Sequence, residues 1–68
     1  MYLMKASFKV VMSDEGRQES KHVAEIRMVG GETFEAAADK FSRTMRRLHN
    51  GVNAHVEGTI TITSLMIP

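Results

Sequence analysis

Residues 30–51 read GGETFEAAADKFSRTMRRLHNG, and this stretch decides the fold. Phe34, Ala37, Ala38, Phe41, Met45 and Leu48 recur at steps of three and four, which is one apolar stripe of a helix. Glu32, Glu35 and Asp39 sit early, whereas Arg43, Arg46 and Arg47 sit late, so the charges complement the helix macrodipole. Thr33 or Gly31 is placed to cap the N-terminus, and Asn50-Gly51 offers the left-handed residue that commonly ends a helix. The spacing therefore predicts a helix over residues 33–50.

On both sides of this helix the apolar period changes to two. Upstream, Met4, Ala6, Phe8, Val10 and Met12 alternate with Lys5, Ser7 and Lys9, which predicts a half-buried strand over residues 2–12. The polar stretch SDEGRQES, residues 13–20, reads as a hairpin loop. Alternation resumes over residues 21–29, where Ala24, Ile26 and Met28 point one way and Lys21, Val23, Glu25 and Arg27 the other. Downstream, residues 55–67 place Val56, Ile60, Ile62 and Met66 on one face and Glu57, Thr59, Thr61 and Thr63 on the opposite one. Pro68 ends that strand.

The order is thus β-β-α-β. The hairpin makes the first two strands antiparallel neighbours, and a right-handed crossover would bring the third parallel to the second. The more direct solution sets the third strand on the free side of the first. The expectation is one small α+β domain over residues 1–68, a three-stranded antiparallel sheet of order 2-1-3 with one helix packed on one face. The expected core is Met4, Ala6, Phe8, Val10, Ala24, Ile26, Met28, Phe34, Ala37, Phe41, Met45, Leu48, Ile60 and Ile62. The face of Lys5, Lys9, Lys21, Glu25, Arg27, Thr59, Thr61 and Thr63 is left without a second layer.

Composition bounds the function. A chain of 68 residues is one domain at most, and it carries no cysteine. Disulfides, thiolate nucleophiles and the usual zinc fingers are thereby excluded. Nine Lys/Arg against eight Asp/Glu leave a formal charge of +1, too balanced to imply nucleic acid or a membrane surface. No apolar run approaches the roughly 20 residues of a membrane-spanning helix. Lys5, Ser7 and Lys9 interrupt the N-terminal apolar residues, so they do not form an export signal, and the cytoplasm is the default location.

Motifs that would carry catalysis are absent. His22, His49 and His55 lack the spacing of paired metal ligands. No G-x-S-x-G occurs, and Ser20 with His22 has no orienting acid. Asp14-Glu15 lies in a solvated loop with nothing apolar to raise a carboxyl pKa. Gly30-Gly31 before the helix lacks both phosphate-cradling patterns, and Glu32 and Glu35 would repel an anion there. The expectation is a protein that is no enzyme and needs no cofactor or metal.

Two surfaces remain. Lys40, Arg43 and Arg47 lie within about 60° of one another opposite the apolar stripe, with Arg46 beside them, an exposed basic ridge able to meet phosphate or an acidic protein. Reversing Arg43 and Arg47 to Glu is expected to abolish partner binding and leave the fold intact. The second surface is the sheet. Its GTITITSL segment, residues 58–65, has no charge and no proline to guard an edge, and its face carries Thr59, Thr61 and Thr63. That edge suits a homodimer or a docking strand from another protein. Met66, with Leu65 and Ile67, adds an apolar tail.

A short, Met-rich, cysteine-free β-β-α-β chain resembles the small accessory proteins of bacteriophages and mobile elements. That resemblance lies in size and composition, and it implies attachment to a host enzyme or defence complex. The expected function is a non-enzymatic protein-binding module, an inhibitor or antitoxin-like regulator working through its surface. The alternative is a small nucleic-acid-binding protein using the basic end of the helix. Against it, Tyr2 is the only tyrosine, tryptophan is absent, and all three Phe fall at core positions, leaving no stacking platform.

Overall fold

Two residues set the register of the whole hairpin. In the computed structural model, which describes residues 1–65, Glu15 and Gly16 both have positive φ, +49° and +78°. That is the tight connection whose twist matches two antiparallel strands. Strand β1 (Tyr2–Asp14) therefore runs straight into β2 (Arg17–Val29). Asp14 pairs with Arg17, and the ladder continues through Phe8 with Val23 to Tyr2 with Val29. The expected loop over residues 13–20 is strand at all positions but Glu15 and Gly16.

This register corrects the expected phase of β2. Cross-strand partners share a face, so core-facing Met4, Ala6 and Phe8 stand beside Arg27, Glu25 and Val23. Lys21, Glu25 and Arg27 consequently lie on the helix side of the sheet. Ala24, Ile26 and Met28, expected in the core, lie on the uncovered side, with Ile26 and Met28 60% and 56% exposed. A shift of one residue in register inverts every side chain of a strand, and the alternation within β2 alone does not say which way it points.

Helix α1 (Phe34–His49) agrees with its sequence reading at both ends to within one residue. Thr33 is the N-cap, its Oγ1 accepting from the N–H of Ala36 at 3.1 Å. The C-terminus differs from expectation: Asn50 is extended, not left-handed. Its N–H donates to the Arg46 carbonyl at 3.1 Å, and its Oδ1 accepts from the N–H of Val56 at 2.8 Å. Asn50 thus ties the helix end to the last strand. Leu48, on the expected stripe, is 55% exposed, because the stripe outlasts the core beneath it at the final turn.

Strand β3 (Ala54–Ser64) pairs antiparallel with β1, giving the order β2-β1-β3. Ser7 pairs with Thr61 but Lys9 with Glu57, so Gly58, Thr59 and Ile60 together face Phe8. Gly58 takes φ +75° at this bulge. Two extra residues preserve the side-chain phase, and Val56, Ile60 and Ile62 all turn to the helix. The buried cluster comprises Met4, Ala6, Phe8, Val10, Val29, Ala37, Phe41, Met45, Val56 and Ile60, with Phe34 and Ile62 half-buried at its margin. The fold is α+β, one helix on one face of a three-stranded antiparallel sheet. Met66, Ile67 and Pro68 lie outside the described residues, and so does the expected apolar tail they complete. Among the described residues no helix is long and apolar enough to cross a membrane.

Candidate functional site

The uncovered face of the sheet is built by the two registers together. One row across it is Met28, Leu3 and Leu65, the last donating its N–H to the Leu3 carbonyl at 2.9 Å. The next rows are Ile26, Lys5 and Thr63, then Ala24, Ser7 and Thr61. Farther along stand His22, Lys9 and Glu57, with the Lys9 ammonium 3.6 Å from the Glu57 carboxylate, and then Ser20, Val11 and His55. The face is therefore apolar at one end and charged at the other. Lys5 stands where the two meet.

The basic ridge is on the other side of the molecule. Lys40, Arg43, Arg46 and Arg47 are all exposed on α1, and Lys40, Arg43, Thr44 and Arg47 line a shallow concavity. Two of these cations already have partners. Arg43 meets Asp39 at 3.1 Å, one helical turn back, and Arg46 donates to the Gly58 carbonyl at 3.0 Å. Arg46 thereby caps the bulge of β3 with the helix above it. Thr61 and Thr63 are exposed on the uncovered face, and Thr59 is exposed at the bulge. The sheet lies between the ridge and Thr61/Thr63, so no single flat partner surface reaches both.

Ile26 and Met28 are the site residues that sequence reasoning missed, because it assigned them to the core. The signal was present: Glu15-Gly16 is short enough to be a two-residue turn, and such a turn pairs Phe8 with Val23. Even positions of β1 then face odd positions of β2.

The inversion also builds an ion pair on the helix side. Glu25 accepts from His49 Nε2 at 2.6 Å, while Arg27 lies 3.2 Å from its other oxygen. The His49 ring meets the Phe8 ring edge-on, with centroids 4.9 Å apart. The hydrogen bond from His49 chiefly holds the Glu25 carboxyl below its usual value; partial burial opposes this, and Arg27 adds to it. The pair locks the end of α1 over the sheet. His22 and His55 are on the opposite side of the sheet. Among the described residues no three His, Cys, Asp or Glu side chains are placed to share a metal ion.

Gly31 has a steric explanation. A Cβ on Gly31 would come within 2.9 Å of both the backbone nitrogen and the Cβ of Ala37. Glycine is required where the chain passes this close to the first turn of the helix. No family model, curated protein or solved structure matches the chain.

Proposed function

We propose that this chain is a non-enzymatic protein-binding module that docks through the uncovered face of its sheet. It acts in the cytoplasm as a small inhibitor or antitoxin-like regulator of the kind bacteriophages and mobile elements employ. One observation carries the reading: Ile26 and Met28 stand 60% and 56% exposed, side by side with Leu3, where the fold supplies no second layer. Exposed apolar groups gathered on one face favour a partner surface. Lys5 at the edge of the apolar rows suits a partner whose own apolar patch is rimmed by carboxylates. Thr61 and Thr63 extend the same face as neutral hydrogen-bonding groups. A second copy of the chain is a further partner, at the free edge of β3.

The arginine ridge supports this reading less. Arg43 and Arg46 are engaged within the fold, which leaves Lys40 and Arg47 as its freer cations. The test compares capture of the same host protein by three forms of the chain. Ile26→Lys with Met28→Lys should lose it, whereas Arg43→Glu with Arg47→Glu should retain it, and added nucleic acid should not displace it. Retention by the sheet-face variant would overturn the reading. Loss by the arginine variant, with affinity falling steeply in salt at a slope of about −0.9 per phosphate contacted, would instead establish the nucleic-acid alternative.

A further inference from the structure

The two edges of this sheet are unequally guarded. Edge strand β2 carries Arg17, Glu19, Lys21, Glu25 and Arg27, charges of the kind that discourage pairing with another chain. Edge strand β3 is guarded only in its first half. There His55 and Glu57 are followed by the bulge, and Arg46 occupies the Gly58 carbonyl. From Thr59 within the bulge onward, residues 59–64 read TITITS, with no charge or proline, and regular pairing with β1 resumes at Thr61.

The ladder shows which groups are free. The N–H of Leu65 bonds to the Leu3 carbonyl, and bonded and non-bonded pairs alternate in an antiparallel ladder. Thr63 opposite Lys5 and Thr61 opposite Ser7 therefore turn their backbone groups toward β1. Ile60, Ile62 and Ser64 turn theirs outward, where no described strand lies.

We infer that residues 59–63 of β3 pair antiparallel with the same segment of a second copy of this chain, about a two-fold axis at Thr61. The result is one continuous six-stranded sheet. This register sets Ile60 against Ile62 of the copy on the helix side, and Thr59 against Thr63 of the copy on the other. Every cross-strand neighbour is then apolar with apolar or hydroxyl with hydroxyl, and no like charges meet.

The segment's own side-chain pattern points to the same occupant. A foreign strand would satisfy the same backbone groups. The absence of charge or a specificity pocket along TITITS favours self-pairing instead, because the segment complements itself.

Sedimentation and light scattering on the purified chain, across a concentration series, are expected to report a dimer. A wild-type chain that stays monomeric up to its solubility limit overturns the inference, whatever the variants do. Thr61→Lys and Thr61→Glu replace an exposed side chain, and each alone should be monomeric with an unchanged circular dichroism spectrum. Mixing the two in equal amounts should restore a dimer containing one of each, since opposite charges then meet at the axis. Dimers that persist in both single variants would place self-association elsewhere and overturn it. These readouts are masses, so they succeed or fail independently of capture through Ile26 and Met28.

Discussion

At the scale of the residue, two adjacent glycines have opposite requirements. Gly31→Ala drives a methyl group against the Ala37 backbone and should cost about 1–3 kcal/mol, as overpacking does. Gly30→Ala meets nothing nearer than the Lys40 ammonium at 3.9 Å and should change stability by less than about 0.5 kcal/mol. Urea midpoints of the two variants check this pair. Glu25 supplies a pH dependence. Its folded pKa is lowered, so its contribution is complete above the ordinary carboxylate value of 4.5 and declines as pH falls through the lower folded value. Glu25→Gln should flatten the acid limb of stability against pH while leaving less stability at neutral pH. An acid limb of unchanged steepness would show that Glu25 does not contribute to it.

The secondary elements were legible to different degrees. Helix α1 was readable from its stripe and its cap because both signals are local. Phe41 lies in mid-stripe and is 2% exposed within the main cluster. Phe41→Ala should cost about 3–5 kcal/mol, enough to unfold a domain whose total stability is of the order of 5 kcal/mol. Ile26→Thr, a change at another large apolar residue, should cost no more than about 0.5 kcal/mol, because the side chain is already in water. Thermal melts of the two variants distinguish the observed phase of β2 from its inverse. Periodicity identified β2 as a strand but not its facing, since both of its faces carry apolar residues. Of the candidate site, Thr61 and Thr63 were legible because β3 has one clear apolar face. Ile26 and Met28 were hidden by the ambiguity of β2.

For the whole molecule, the central fact is one layer too few. A helix covers one face of three strands, and among the described residues nothing covers the other face or the edge of β3. Two-fold pairing couples folding to association, so the melting temperature should rise with protein concentration. A melting temperature independent of concentration in scanning calorimetry would count against that pairing. By itself the sequence determined the element order, the helix with its N-cap narrowed to Thr33 or Gly31, the strand order 2-1-3 and the absence of catalytic motifs. These rest on local spacing, on cap chemistry and on a few rules of chain connection. Only the tertiary structure decided which way β2 faces, that Arg46 is engaged by the last strand, and where the free edge begins. Each of those depends on how one segment is set against another: β2 on β1 through the Glu15-Gly16 turn, β3 on β1 through the Gly58 bulge, and Arg46 across to β3. A register is a relation between two segments, and the periodicity of either one alone cannot encode it.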